Sequence, residues 1–310
     1  MYYPLLRGKQ NELLALRELL KNGKLSKKII PIIEPIKASA TFRLLLRSFF
    51  QGKRNIAVIQ NTAVTNYVGF NTAEIDSIKA ANNFIPSFII RSDSDLVLLN
   101  EPNPRKIAVL NIKSEITKID SLRMQGIYVV VDTDNKRMER KVKDANISNL
   151  IELNDSFIKL PRNQDYLNDP DEFFSQEHKF YKQDGFSGFS DYSIIGSDYV
   201  DTGFAAKAVA IHIVYFDANG DLRVHHFVSN SNDDITNPAG KFAEALKKLI
   251  EWKNGPQFDG LQNQSEALEE FQKMYDTGRY SGLGVIKKLS LKHHLEIMGR
   301  FLETHEEREL

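Results

Sequence analysis

Short apolar runs that stop abruptly at a charged or amide residue recur through the first half of the chain. The run 2–6 is followed by Arg7 and Lys9, 29–33 by Glu34 and Lys37, and 55–59 by Gln60 and Asn61. Further on, 84–90 precedes Arg91, 106–110 precedes Asn111 and Lys113, 127–131 precedes Asp132 and Asp134, and 149–153 precedes Asn154 and Asp155. Runs this short, with no polar alternation, fit strands buried on both faces. Between them, Leu13, Leu14, Leu16, Leu19 and Leu20 keep one helical face, and 41–50, 72–81, 93–99, 115–124 and 136–145 also read as helices. Several open on capping residues: Asn71 or Thr72, Ser92 or Asp93, and Ser114.

Seven strands by residue 153, with helices between them, follow the rhythm of repeated βα units. The eighth strand expected to close a barrel is 192–195, in FSDYSIIG, reached through a longer polar and aromatic stretch, 157–190. An open doubly wound sheet would use fewer strands and a glycine-rich first turn, which Arg7, Gly8 and Lys9 do not supply. The expected fold is therefore α/β, a TIM-barrel-like (β/α)8 parallel barrel. From about Gly196 the pattern changes. Strands over 207–216 and 222–228 flank DANGD, whose Asn219 and Gly220 signal a hairpin, and helices follow over 240–253, 265–275 and 283–303. The expected domains are a barrel over 1–196 and a C-terminal β-hairpin plus helical extension over 197–310, packed on the barrel.

Composition removes several chemistries. Lys plus Arg equals Asp plus Glu at 41 each, so bulk charge selects neither a polyanion nor a membrane surface. Cysteine is absent, which excludes disulfides, thiolate metal sites and a cysteine nucleophile, and agrees with a cytoplasmic protein. No apolar stretch approaches the ~20 residues of a membrane span, and no basic segment followed by an apolar core opens the chain, so no membrane association is expected.

In parallel α/β barrels the active site lies at the carboxyl ends of the strands, so the residues ending the apolar runs are the candidates. Arg7, Lys9, Lys37, Asn61, Arg91, Asn111 and Lys113 are candidate ligand-binding residues, since an arginine fork matches a phosphate and a nucleotide or nucleic acid would supply one. Glu34, Asp132, Asp191 and Tyr192 are the catalytic candidates, and Glu34, Asp132 and Asp134 the candidate metal ligands; hard carboxylate oxygens favour Mg or Mn. Against this stands a plain alternative: every α/β protein turns polar where strands leave the core, and such charges pair with one another or cap helices.

The histidines show no HExxH or similar spacing. If Asn219 and Gly220 centre a two-residue turn, His212 and His225 share one face of the hairpin and His226 the other, which would make the first two a metal pair or an exposed polar face. Lys287 to His294, KKLSLKHH, is a basic stretch that either faces a phosphate or solvates its helix.

The opening YYPLLRGKQNELLALRELL, followed by KIIPIIEPIK, resembles the beta-protein family of bacteria and phage-related elements, as does FSDYSIIG with the strand pair after it. Ser190 stands where that family commonly has glycine. The resemblance implies a TIM-barrel-like fold, a setting among phage-defence or mobile-element genes and, as a partner, a small nuclease-like protein encoded nearby. It carries over Arg7, Glu34, Asp191 and Tyr192 as family-typical residues and implies no reaction. Two readings stay open: a binding or scaffold component holding a phosphate-bearing ligand or protein partner at the barrel mouth, and a metal-dependent phosphodiesterase or nuclease acting there.

Overall fold

Residues 1–65, 67, 69–199 and 207–309 are described by a computed structural model of the chain. Strands β1 (Leu5–Leu6), β2 (Ile32–Ile33), β3 (Ile56–Ile59), β4 (Phe84–Ile89), β5 (Lys106–Leu110), β6 (Ile127–Asp132) and β7 (Leu150–Asn154) pair in sequence order, all parallel. β8 (Asp171–Ser175) belongs to another sheet, and β9 (Gly188–Asp191) pairs with β7. Closure comes from a parallel bridge between Tyr2 and Phe189, with the Tyr3 N–H donating to the Phe189 carbonyl at 2.9 Å and the Phe189 N–H to the Met1 carbonyl at 3.1 Å. The result is an eight-stranded, nearly closed parallel barrel of the TIM type. Gly188 makes this seam possible, since a Cβ there would lie 2.7 Å from the Tyr3 ring.

Helices α1 (Gln10–Lys21), α2 (Ala40–Gln51), α3 (Ala73–Lys79) and α4 (Lys136–Asp144) fall where periodicity predicts them, and α2, α3 and α4 are capped by the side chains of Ser39, Thr72 and Asn135. The segments predicted as α-helices over 93–99 and 115–124 are 3₁₀ turns instead, Asp93–Asn100 and the shorter Ile119–Arg123. The closing strand also differs from expectation. It is Gly188–Asp191, four residues before the predicted 192–195, because Ser193 takes a left-handed backbone (φ 51°) and Ser193–Ile195 coils into a 3₁₀ turn.

The chain divides into two compact units that interleave in sequence: Met1–Leu13 with Lys27–Asp155 and Glu177–Tyr192, and Leu14–Ser26 with Ser156–Gln176 and Ser193–Leu310. In the first, the barrel interior is filled by every second strand residue, among them Leu5, Ile32, Ile59, Ile89, Val109, Val130 and Leu153, each fully buried side chain contributing about 1.5–3 kcal/mol. α5 (Glu177–Phe180) lies between β8 and β9 in the chain.

The second unit is built on an antiparallel sheet ordered β10 (Ala210–Phe216), β11 (Leu222–Val228), β8, with α6 (Pro238–Lys253), α7 (Gly260–Asn263), α8 (Glu266–Thr277) and α9 (Leu283–Glu309). Its core joins Ile211, Ile213 and Phe227 of the sheet to Phe242, Leu246 and Trp252 of α6, Phe271 of α8 and Leu289 of α9. The β10–β11 turn is longer than predicted. The Asp217 N–H donates to the Asp221 carbonyl at 2.9 Å, so three residues are looped out and Gly220 takes the left-handed position at φ 73°. That shifts the register by one residue, pairing His212 with His226, and a one-residue shift moves a side chain to the other face. His212 and His226 therefore share a face; His225 lies on the other, where it meets Asp171 at 2.8 Å and stacks on Phe227.

The basic stretch 287–294 is largely internal. Lys292 is 1% exposed and bonds Glu18 and Glu270, His293 sits between Ser265 and the Val214 carbonyl at 2.8 Å each, and His294 bonds the Ser193 hydroxyl. Buried side chains of α9 on several sides, such as Leu289, Leu291 and Ile297, explain why these polar neighbours are enclosed. Among the described residues no helix is long and apolar enough to cross a membrane.

Candidate functional site at the barrel mouth

Side chains alternate across a strand, so the inward phase set by the core extends past each strand end by steps of two. From Leu5, Ile32, Ile59, Ile89, Val109, Val130 and Leu153 that step reaches Arg7, Glu34, Asn61, Arg91, Asn111, Asp132 and Asp155, and on β9 the phase reaches Tyr192, itself part of the interior cluster. Every strand thus offers one polar or aromatic residue to the carboxyl end of the barrel.

Arg7 and Glu34 form an ion pair between the first two strands, with side chains only 11% and 1% exposed. The other Glu34 oxygen accepts the Ala63 N–H at 2.6 Å, which pins the loop after β3 to the pair. The Arg7 guanidinium also lies over the Tyr192 ring, 5.0 Å from its centroid. Burial holds the Tyr192 hydroxyl well above its ordinary range; the Arg7 charge opposes this, and the charges of Asp132, Asp155 and Glu34 reinforce it. Tyr192 is therefore a hydroxyl donor at neutral pH. Asp132 is pushed up to about 6 by burial, with the Asp134 and Ile112 N–H groups pulling it down and the charges of Asp134 and Asp155 pushing it further up. That brings its change of protonation close to neutral pH.

The two amides are occupied structurally. Asn61 donates to the Ile89 carbonyl and accepts the Ile89 N–H, both at 2.8 Å, extending the β3–β4 ladder by one step. The Asn111 oxygen accepts the Lys113 N–H at 3.0 Å and the Ser114 hydroxyl at 3.3 Å, closing the turn after β5. Arg91 is held differently. Its guanidinium donates to the carbonyls of Asn61 and Thr62 at 3.3 and 3.4 Å and, among the described residues, meets no carboxylate. Arg91, Asn111 and the exposed Lys113 line a cavity of about 450 Å³ whose remaining wall is residues 62–65. Among the described residues no acidic side chain lines it, so its lining carries two positive charges and no negative one.

The other candidates stand apart from this cluster. Asp191 lies on the opposite phase from Tyr192, facing away from the barrel interior, where it accepts the Tyr2 hydroxyl at 2.6 Å and is buried. Lys9 sits at the start of α1 with its N–H toward Glu12 at 3.4 Å, and Lys37 is exposed beyond β2. Asp134 is exposed and touches Asp132 through its backbone N–H, at 3.0 Å, not through its carboxylate. Among the described residues no group of three or more His, Asp or Glu side chains is arranged to hold a metal ion. Glu34, Asp132 and Asp134 thus do not converge, because Glu34 is committed to Arg7 and the Ala63 N–H. Asp155, which directly follows β7 but is absent from the ligand and metal sets, belongs to the electrostatic neighbourhood of Tyr192 and Asp132; the two-residue phase is the signal that finds it.

Comparison of this chain with protein-family models, curated proteins and solved structures finds no match.

Proposed function

We propose that the protein binds a phosphate-bearing ligand at the carboxyl end of its barrel, in the sector between β3 and β5, and acts there as a binding component. The resemblance to the beta-protein family would place that role in a phage-defence or mobile-element setting. One observation carries the reading: two cationic side chains from neighbouring strand ends, Arg91 and Lys113, line a cavity with no carboxylate among its described lining residues. Charge-assisted hydrogen bonds to a phosphate contribute about 1.5–3 kcal/mol each, so removing one cation weakens binding by roughly 10- to 100-fold. Isothermal titration with inorganic phosphate and with nucleoside monophosphates tests it. The wild type binds, and Arg91→Ala and Lys113→Ala each lose affinity while unfolding at the wild-type temperature. Equal affinity in all three proteins would overturn the assignment.

A phosphodiesterase reading is favoured by one feature, the Asp132 carboxyl poised at about 6 on the strand next to Asn111. In that case Asp132 accepts the proton of the attacking water. Asp132→Asn would then abolish phosphodiester hydrolysis without weakening ligand binding, and hydrolysis that survives Asp132→Asn would dismiss it.

A further inference from the structure

The second unit holds a larger cavity, of about 610 Å³, beside the β10–β11 hairpin. Phe157 and Tyr166 line it, together with four cations: Lys159, Arg162, Lys207 and Lys287. No carboxylate is among its described lining residues. Lys159 donates to the Asp198 carbonyl at 3.2 Å, and neither Arg162 nor Lys207 is ion-paired among the described residues. A volume of this size lies within the ordinary range for small-molecule sites of roughly 300–1,000 Å³.

His212 also lines the cavity, and it ends a hydrogen-bonded chain across the three strands of one sheet. Its Nδ1 lies 2.7 Å from Nδ1 of His226, and His226 Nε2 lies 2.9 Å from Oε1 of Glu172. An ionised carboxylate only accepts, so His226 carries its proton on Nε2 and its bare Nδ1 takes the His212 Nδ1–H. That order leaves Nε2 of His212 as a lone pair. Burial keeps both rings neutral, pushing His226 down to about 4 and His212 well below its ordinary value, with His226 and Lys287 adding to the latter.

We propose that this cavity is a second binding site, for a small phosphorylated ligand with an aromatic ring, of the nucleoside phosphate class. Arg162 and Lys207 take the phosphate, Phe157 and Tyr166 pack on the ring, and His212 accepts a hydrogen bond from a ligand hydroxyl. Aromatic stacking sets this site apart from the barrel sector, whose cavity has no aromatic residue among its described lining residues.

The test uses the full chain carrying Arg91→Ala and Lys113→Ala, so that the barrel sector is silent and failure there is not confused with failure here. Adenosine monophosphate, adenosine and inorganic phosphate are titrated by calorimetry, and the ring nitrogens of His212 are followed by ¹⁵N NMR. Adenosine monophosphate is expected to bind more tightly than either fragment and to move the His212 signals. Adding Arg162→Ala, at an exposed position that the fold does not need, is expected to weaken it by at least about tenfold. No binding, binding indifferent to Arg162→Ala, or binding that leaves the His212 signals in place would overturn the proposal; inorganic phosphate binding as tightly as the nucleotide would remove the aromatic subsite from it.

Discussion

At the barrel mouth, charged side chains from neighbouring strands meet partners of opposite sign or backbone groups, as Arg7 does with Glu34 and Glu34 with the Ala63 N–H, whereas the cavity beside the hairpin gathers four cations and no carboxylate among its described lining residues. What separates them is whether opposite charge is already at hand: a paired ion has little electrostatic attraction left for a ligand, and Arg162 and Lys207, in no ion pair among the described residues, keep more of theirs. Within the mouth the same distinction singles out Arg91 and Lys113. The pair Arg7–Glu34 organises the barrel, and the unmatched cations are where an anion would be held.

Breaking the organising pair tests this division most severely. Glu34→Ala leaves the Arg7 charge enclosed beside Tyr192 without its carboxylate, and removing one partner of a buried pair costs about 3–5 kcal/mol. Denaturant unfolding should show that loss, and the double variant Arg7→Met with Glu34→Leu should recover most of it; a double variant no better than the single would mean the pair does more than neutralise itself. A third treatment of charge appears on the outer face of β7. Glu152, 5% exposed, is pushed up to about 8 chiefly by burial, with the charges of Glu177 and Asp184 adding. The folded state thus holds a proton that the unfolded chain releases near 4.5, so folding stability falls as pH rises from 4.5 to about 8. Glu152→Gln should raise the unfolding temperature at pH 8 and change it little at pH 5; equal shifts at both would contradict the burial argument.

Smaller effects sharpen the contrast. Asn61→Ala strips the Ile89 N–H and carbonyl of their partner and should cost about 1–3 kcal/mol of stability. Arg91→Ala and Lys113→Ala should leave unfolding within about 0.5 kcal/mol of wild type, as surface substitutions do, while lowering phosphate affinity. Thermal unfolding of the three variants side by side separates the residue that builds the mouth from the two that serve it.

Much of the barrel is written openly in the chain. Its first seven strands are short, mainly apolar runs, and burial on both faces dictates such runs, with Ser87, Lys106 and Glu152 as polar exceptions. The eighth is harder to read, since Gly188–Asp191 has only one large apolar residue, Phe189, and its strength lies in backbone bonds to Met1 and Tyr3 from the far end of the chain. Naming polar residues after each run finds Arg7, Glu34, Arg91 and Asp132. The two-residue phase then decides which face inward, keeping Asp155 and setting Asp191 aside. The hairpin cavity is illegible for two physical reasons. Its cations come from positions as far apart as Lys159 and Lys287, and its histidine chain depends on a register that one extra looped residue reverses.

The most direct test of the central claim, that unmatched cations at the barrel mouth hold phosphate, is to soak crystals of the protein in tungstate, a heavy phosphate analogue, and locate the anomalous signal. The account predicts a peak within hydrogen-bonding distance of the Arg91 guanidinium and the Lys113 ammonium, lost in Arg91→Ala. A peak beside Arg7, or none anywhere near Arg91 and Lys113, would contradict it.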